Sequence, residues 1–322
     1  MPTTTPTDNA GTVIDDFTGL HEFLSLSSDH PVEYSGRQWP TAAHAFAAAK
    51  TNSTEMHARI HAATTAAEAQ RIGENAVRRD DWPTHRFAAI TEIVASKFDD
   101  LALAAALLDT GDALLVNVGT DQLWGRTTER GFRTPTGRNE LGRSLMTARA
   151  RLRGDAPNRW VRAAVTGHRE HRIPDPDTQR WVQEELGRLA HKLAAGHGTE
   201  IALCGLATGS DTWWAQASLG AGLHLWGYRP FPAQADQWTA EQIGEHKRLL
   251  AAAQRTVTLG GRADNKFFHA RNALMLNDSD VVIAVRDRQV TSGGTVEALR
   301  ALDGRRPVVT VDITTRQTTL AL

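Results

Sequence analysis

The regular alternation of apolar runs with helical segments beyond residue 161 most constrains how this chain can fold. The apolar runs read RAAVTG, EIALCG, LHLWGYRP, RTVTLG, DVVIAVRD and PVVTVDI, with helical patterns over 178–196, 211–221, 239–254, 264–277 and 295–303 between them. Near-continuous apolar strands joined by helices are typical of a parallel sheet that is covered on both faces. Residues 162–322 are therefore predicted to form an α/β, Rossmann-like, doubly wound parallel sheet.

The first half of the chain follows a different pattern. Helices are predicted over 41–50, 54–63, 65–76, 84–98, 99–109 and 140–153, with short extended segments at IDDF, EFLSL, PVEYSGRQW and LLVNV. Gly36 is expected to turn a hairpin, and a long Gly/Thr loop spans 120–139. The pattern predicts a helix-rich α+β domain over 13–152, a disordered tail over 1–12 and a linker over 153–161.

Bulk composition narrows the classes of function. The net charge is −1, so any affinity for nucleic acid or a membrane must come from a local patch. We find neither a secretory signal nor a run long enough to cross a bilayer, which predicts a soluble cytoplasmic protein. The single cysteine, Cys204, lies in an apolar run and is expected to be buried. No cluster has metal-ligand spacing, so neither a metal nor a cofactor is expected.

Three glycine loops follow predicted strands or precede predicted helices of the second half. VTGHRE, ATGSD and TSGGT would meet at the carboxyl edge of a parallel sheet, where ligands bind. Glycine backbone at helix N-termini suits a phosphate, although such loops can also be plain turns. The nucleotide-binding candidates are Gly167, His168, Arg169, Gly209, Ser210, Asp211, Arg271, Ser292, Gly293, Gly294, Thr295 and Glu297. The dinucleotide fingerprint G-x-G-x-x-G is absent, so NAD-dependent redox chemistry is not supported.

These loops, with PFPAQADQW and HARNALMLNDSDVVIAV, resemble the SLOG superfamily over about 162–312, and its YpsA-like branch most of all. The resemblance implies a Rossmann-like pocket for a nucleotide or a nucleotide-derived signal. In the related LOG phosphoribohydrolases, an arginine and a glutamate three residues after the motif threonine perform hydrolysis. Arg271 matches that arginine, but Ala298 stands at the glutamate position and Glu297 lies one residue early. This departure from the family pattern favours a sensor or binder rather than a hydrolase.

In the first half, DQLWG and GRNELGRSLM carry side chains that a sugar and a flat base would need. Asp121 could orient water or stabilise an oxocarbenium ion, and Trp124, with Trp82 as a second surface, could stack on the base. Taken singly, each could instead be a core residue or a cap. Eight arginines between 126 and 153 form either a phosphate or nucleic-acid contact surface or a solvated face.

The ordered segments FLSL, GRQWPT, HAF, AAK, DW, SKF, LLDTG, DQLWG and GRNELGRSLM resemble the NADAR family over roughly 14–152. The resemblance implies an N-glycosidase that cleaves the C–N bond of a riboside phosphate or an ADP-ribosyl group, including ADP-ribosylated guanine in nucleic acid. It assigns catalysis to Trp82, Asp121 and the position of Ala43, where the family has a glutamate. Substrate contacts are expected from Ser25, His44, Lys50, Trp124, Gly125 and Asn139.

Ala43 cannot transfer a proton or stabilise a cation, so this chain is expected to be impaired. Either the family glutamate was lost naturally in a protein that only binds, or alanine replaces it in an active parent as a substrate trap. Leu26 at an asparagine position and Asn117 at a frequent glutamate position fit natural loss. Intact Trp82 and Asp121 fit an active parent.

The sequence thus predicts an N-glycosidase module joined to a nucleotide-sensing module, a pairing that suits defence against phage. Expected partners are an ADP-ribosyl or riboside-phosphate substrate, a nucleotide-derived ligand in the second domain, nucleic acid that carries ADP-ribose, and a second copy of the chain. Two other interpretations stay open. Both pockets could bind without turnover, or the second domain could be the enzyme and the first a recognition module.

Overall fold

A computed structural model describes residues 11–173 and 175–321, which form two compact units. The first unit comprises the described residues up to Arg126 together with Asn139–Asp155, and the second comprises Thr127–Arg138 and the chain from Ala156. All but the last two residues of the predicted tail lie outside the described residues. Within the described ranges, no helix is both long enough and apolar enough to span a membrane.

Helices dominate the first unit, in agreement with the predicted α+β class. Its elements are β1 (Val13–Ile14), a 3₁₀ helix (Gly19–Leu24), β2 (Val32–Tyr34), β3 (Arg37–Trp39), α1 (Ala42–Ala48), α2 (Thr54–His61), α3 (Ala66–Asn75), α4 (Trp82–Lys97), α5 (Leu101–Asp109), β4 (Leu114–Leu115) and α6 (Glu140–Arg153). Strand β1 pairs in parallel with β4, and β2 pairs antiparallel with β3.

The hairpin between β2 and β3 confirms the predicted turn at Gly36. Both turn residues, Ser35 and Gly36, have positive φ angles of 53° and 71°. Two consecutive left-handed residues are the signature of a type I′ turn, whose twist matches that of the flanking strands. The prediction of an extended EFLSL segment is wrong, because the chain is a 3₁₀ helix up to Leu24.

The second unit has the predicted alternation of strands and helices. Its elements are β5 (Arg162–Gly167), a 3₁₀ turn (Glu170–Arg172), α7 (Pro176–His197), β6 (Ile201–Cys204), α8 (Ser210–Gly220), β7 (His224–Arg229), α9 (Ala240–Ala252), β8 (Arg255–Thr258), α10 (Lys266–Asp278), β9 (Val281–Arg286), α11 (Gly294–Leu302), β10 (Val308–Asp312) and β11 (Gln317–Ala321). Strands β5, β6 and β9 are almost completely buried, as a doubly covered sheet requires, whereas the edge strand β8 has two exposed residues.

The order of strands in this sheet is β11-β10-β9-β5-β6-β7-β8, and every pair is parallel except β10 with β11. From β5 the chain builds outward to the β8 edge and then returns to place β9 on the other side of β5. The strand order therefore reverses between β5 and β9, which is the position where open α/β sheets bind ligands.

Residues 127–138, within the range predicted for the first domain, group with the second unit. The Arg133 N–H donates to the Leu259 carbonyl at 2.7 Å, and the Thr134 hydroxyl donates to the Thr258 carbonyl at 2.9 Å. Phe132 packs edge-on against Phe267, with 4.9 Å between the ring centroids. The loop is thus attached to the end of β8 and the start of α10.

Candidate functional site

In the first unit, Phe46 of α1 lies between the two tryptophans that the sequence singled out. Its ring centroid is 5.5 Å from that of Trp82 and 4.9 Å from that of Trp124. The Trp124 contact is edge-on, a favourable geometry for aromatic rings. Phe87 also contacts Trp124, with 5.9 Å between the ring centroids. The structure therefore brings Trp82 and Trp124, which are distant in sequence, into one aromatic cluster.

Helix α1 presents Ala43 and Phe46 on one face, because these positions are three residues apart, and Lys50 lies in the turn that follows the helix. Ala43 is buried at the first turn, and its N–H donates to the Leu26 carbonyl at 2.8 Å. Burial lowers the pKa of Lys50, an effect that the charge of Glu74 opposes. The family glutamate position thus lies one helical turn before Phe46, and the predicted phosphate contact lies just after the end of the same helix.

Asp121 organises the loop that carries Trp124. Its Oδ1 accepts hydrogen bonds from the N–H groups of Leu123 at 2.7 Å and Trp124 at 3.1 Å, and its carbonyl accepts from the Gly125 N–H at 2.9 Å. The side chain is exposed to solvent. The Asp121 charge also acts on Lys50, raising the lysine pKa against the effect of burial. Asp121 therefore holds the Trp124 segment directly, and its charge acts on Lys50.

Two predicted substrate contacts instead have their polar groups satisfied within the protein. His44 is buried, its Nε2 donates to the Ala63 carbonyl at 3.2 Å, and its Nδ1 accepts from the Thr41 hydroxyl at 2.8 Å. The Asn139 amide donates to the Leu115 carbonyl at 2.8 Å and accepts from the Asn117 N–H at 2.9 Å. Both side chains thus connect neighbouring segments of the first unit.

Gly125 and Ser25 also have structural partners. A Cβ at Gly125 would lie 2.4 Å from the Asn117 carbonyl oxygen, so only glycine fits this approach of the loop to the chain after β4. The Ser25 hydroxyl accepts from the Ser27 N–H at 3.1 Å. The Ser25 carbonyl accepts from Nζ of Lys97 at 2.5 Å.

Lys97, which the sequence analysis left unassigned, is a buried cation of the first unit. Its Nζ also donates to the Ser28 hydroxyl at 2.6 Å, and the side chain is 2% exposed. Burial lowers its pKa to about 8. The lysine therefore ties the segment 25–28 to the end of α4. Only its place in the quoted SKF segment could have pointed to it.

The predicted arginine surface is partly structural. Arg149 is buried and donates to the Thr110 hydroxyl at 2.7 Å and to the Ala113 carbonyl at 2.9 Å. Arg153 donates to the Asp112 carboxylate at 2.7 Å. These two side chains hold α6 against the turn after α5, and are not a contact surface for phosphate or nucleic acid.

In the second unit, a cavity of about 450 Å³ opens where the strand order reverses. Its wall includes most of the predicted nucleotide contacts: Gly167, His168, Arg169, Asp211, Arg271, Ser292, Gly293, Gly294 and Thr295. Its volume lies within the range typical of small-ligand sites. The three glycine loops thus converge on one cavity.

Arg271 and Asp211 form a buried ion pair in the wall of this cavity. Nη1 of Arg271 lies 3.6 Å from Oδ2 of Asp211, and Nη1 also donates to the Tyr228 carbonyl at 3.4 Å. Burial raises the pKa of the Asp211 carboxyl, and the Arg271 charge opposes this shift. The Arg271 Nε is buried and finds no hydrogen-bond partner among the described residues. A guanidinium N–H that lacks an acceptor can donate a hydrogen bond to an anionic oxygen of a ligand.

Ser210 and Gly209 support the wall behind His168. The Ser210 hydroxyl donates to the His168 carbonyl at 2.8 Å. Gly209 has a φ of +82°, and a Cβ there would lie 2.4 Å from the Glu170 nitrogen. The start of α8 therefore packs directly against the loop that follows β5.

Glu297 does not line the cavity. Its side chain is exposed, and one carboxylate oxygen lies 3.7 Å from Nδ1 of His269. Ala298, one position on, is buried. Consecutive helix residues point about 100° apart, so a shift of one position turns the carboxylate away.

The cavity also has lining residues that the sequence analysis did not single out. On α10, Phe268, Asn272 and Met275 line it together with Arg271. Their spacing of three and four residues places them on one helix face. The segment FHARNALM shows this spacing in the sequence. From the loop after β5, His171 and Arg172 also line the cavity.

The geometry defines the class: a helix-rich α+β unit with an aromatic site, followed by a Rossmann-like unit with a cavity at its switch point. Residues 12–153 match the NADAR domain family. This match covers most of the first half of the chain. A riboflavin biosynthesis protein of Vibrio vulnificus (strain YJ016) is 33% identical over 145 residues, which cover 44% of this chain and 38% of that protein. The chain thus matches less than half of that relative's length.

Two solved structures are similar to parts of the chain. The Escherichia coli protein YbiA has 26% identity and a TM-score of 0.41, over 48% of this chain and 94% of that one. DNA processing protein A from Helicobacter pylori, described as binding single-stranded DNA, has 19% identity and a TM-score of 0.36, over 48% of this chain and 70% of that one. The Rossmann-like class of the second unit follows from its own strand order.

Proposed function

We propose that the first unit is an N-glycosidase module for a riboside phosphate or an ADP-ribosyl group. The observation that carries this proposal is the packing of Phe46 between Trp82 and Trp124, next to the loop that Asp121 caps. A flat base requires an aromatic wall, and a departing base leaves positive charge on the sugar that a carboxylate stabilises. These groups are drawn together from three separate segments of the chain.

The roles of the residues follow from their chemistry. The C–N bond breaks with its electron pair on the base, water adds to the sugar C1, and the proton released by water balances the charge on the base. The second Asp121 oxygen, Oδ2, is the group that would face the oxocarbenium ion, because Oδ1 already serves the loop. Lys50, in the turn that follows α1, would hold the phosphate. Position 43 is where the family places a glutamate that can transfer protons.

Ala43 favours a second candidate function, binding without turnover. A buried methyl group at that position can neither activate water nor protonate the leaving base. In this alternative the aromatic cluster and Lys50 still recognise the substrate, and the chain acts as a receptor. The proposed roles in phage defence and in recognition of ADP-ribosylated nucleic acid apply to either candidate.

Restoring the family residue separates the two candidates. Base release from a riboside 5-phosphate and from ADP-ribosylated guanosine should be measured for the present chain, Ala43→Glu and Ala43→Gln. We expect release from the glutamate variant at a rate at least about 10²-fold above the glutamine variant, which has the same shape but no charge. Equal rates in the two variants, with substrate still bound, would favour the receptor.

For the second unit, we propose that the cavity binds a nucleotide-derived ligand through its phosphate. The unsatisfied Nε of Arg271 and the glycine loop at the start of α11 support this. In a calorimetric titration with nucleoside diphosphates, Arg271→Met should lose binding. Full retention of binding in that variant would place the phosphate elsewhere.

A further inference from the structure

The second unit contains a second cavity of about 580 Å³, which shares part of its wall with the first. His168 and Arg172 line both cavities. The rest of the second wall comes from the loop after β9, the start of α7 and the turn after β10. No predicted contact other than His168 lies there, so the sequence analysis did not anticipate this cavity.

We propose that this second cavity is a subsite for a ribosyl group, so that the second unit binds a ligand of the nucleoside-diphosphate-ribose class. The nucleotide end would occupy the first cavity, the pyrophosphate would lie beside Arg172 and His168, and the terminal ribose would enter the second cavity. This inference rests on the proposed nucleotide binding in the first cavity.

Three hydrogen bonds fix the position of His168 in the shared wall. Its N–H donates to the Val285 carbonyl at 3.1 Å, and its carbonyl accepts from the Ser210 hydroxyl. Its Nε2 accepts from the Asp287 N–H at 3.2 Å. That bond leaves the ring proton on Nδ1, as a donor for an anionic oxygen. A preorganised wall lowers the entropy cost of binding a ligand that spans it.

The shared wall is also cationic. Arg172 is exposed and reaches both cavities. His168 and Arg172 line the same two cavities. Burial lowers the pKa of His168, and the Arg172 charge acts in the same direction. A charged guanidinium next to a neutral imidazole donor suits a bridging pyrophosphate.

The second cavity has the groups that a ribose requires. Oδ1 of Asp287 accepts from the Gln289 N–H at 2.8 Å, and no donor among the described residues bonds Oδ2. A carboxylate with a free oxygen accepts ribose hydroxyls in Rossmann-like sites. Val290 and Ile313 supply apolar surface beside it for the sugar ring. Each cavity has the volume of one small-ligand site, so a phosphate-linked ligand would fill both.

Calorimetry on the full chain tests the inference with matched ligands. ADP and ADP-ribose, and likewise GDP and GDP-ribose, differ only by the terminal ribose. The titrations should use a Lys50→Ala background, which removes the proposed phosphate contact of the first unit. We expect the ribosylated ligand of one pair to bind about ten-fold more tightly than its diphosphate.

Two isosteric variants locate the effect. Asp287→Asn should abolish the ten-fold gain and leave diphosphate affinity unchanged, because Asn keeps the bond to Gln289 but accepts ribose hydroxyls less well. Asp264→Asn is the control, since Oδ1 of Asp264 caps Lys266 at 3.0 Å in the same local geometry outside both cavities. Arg172→Ala should weaken both members of the pair.

Two results would overturn the subsite. One is equal affinity for diphosphate and ribosylated ligand, and the other is an Asp287→Asn effect that is the same on both. Absence of binding for every nucleotide would instead contradict the proposed function of the first cavity, and the subsite with it.

Discussion

Nη1 of Arg271 and Oδ2 of Asp211 lie 3.6 Å apart, and each residue is less than a tenth exposed. Burying two opposite charges costs desolvation energy that their attraction only partly offsets. A hydrophobic pair could fill the same volume with no such cost. The retention of charge next to a cavity, with the Arg271 Nε unsatisfied, is consistent with a role in ligand binding.

Removing one partner of this pair should destabilise the second unit strongly. Asp211→Ala leaves the Arg271 charge buried without its counter-charge, so we expect a loss of about 3 to 5 kcal/mol in the free energy of unfolding. The double variant Asp211→Leu with Arg271→Met should recover much of that loss while binding no nucleotide. Urea unfolding provides the measurement, and a change below about 1 kcal/mol for Asp211→Ala would contradict the burial argument.

Gly205 should be essential to the position of Arg271. A Cβ at residue 205 would lie 1.3 Å from Nη1 of Arg271, so Gly205→Ala must displace the guanidinium. We expect this variant to lose nucleotide affinity and to unfold at lower denaturant concentration. Gly220→Ala, at the end of α8 with no atom near the added methyl, is the matched control and should be neutral or stabilising by up to about 1 kcal/mol. Equal binding by the two variants would refute the constraint.

Lys97 should make stability depend on pH in the alkaline range. Its pKa is about 8 in the folded protein against an ordinary value of 10.5, so the unfolded chain binds more protons between these values. Stability contributed through Lys97 must therefore rise with pH across that window. The unfolding free energy of the present chain minus that of Lys97→Met should increase by about 2 kcal/mol from pH 8 to pH 10. Parallel curves would show that the lysine has an ordinary pKa.

Phe46 should be needed for substrate recognition as well as for packing. Phe46→Ala removes the ring that holds Trp82 and Trp124 together, so we expect weaker binding of a riboside phosphate and a shift in tryptophan fluorescence. Phe23→Ala is a suitable control, because Phe23 is similarly half-buried but packs on Phe98, at 6.4 Å. If both variants lost stability but kept equal affinity, the aromatic cluster would be core and not a binding surface.

The sequence was sufficient to predict the parallel sheet, because its strands are apolar on both faces and leave no other packing. It did not predict β11, whose residues QTTLA are mostly exposed and resemble a loop. Its pairing with β10 depends on the edge left open by the strand order, which is a tertiary property. The 3₁₀ helix at Gly19–Leu24 was missed for a similar reason, since a short apolar run does not distinguish helix from strand.

The structure brings the predicted glycine loops together but places several predicted single side chains elsewhere. The glycine loops converge because parallel strands all end at one edge of the sheet. His44 and Asn139 are polar residues within family motifs, yet their hydrogen bonds are made inside the protein. These partners are distant in sequence, so only the folded structure identifies them. Glu297 shows how one position on a helix separates a lining residue from an exposed one.

The central claim is that position 43, Trp82, Trp124 and Asp121 belong to one glycosidase site. Asp121→Asn keeps the bonds to the Leu123 and Trp124 N–H groups and removes only the charge. The most direct test is the rate of base release from a riboside 5-phosphate by Ala43→Glu, with and without Asp121→Asn. We predict turnover by the single variant and a loss of at least about 10²-fold in the double variant. Undiminished turnover without the Asp121 charge, or none in Ala43→Glu, would contradict the claim.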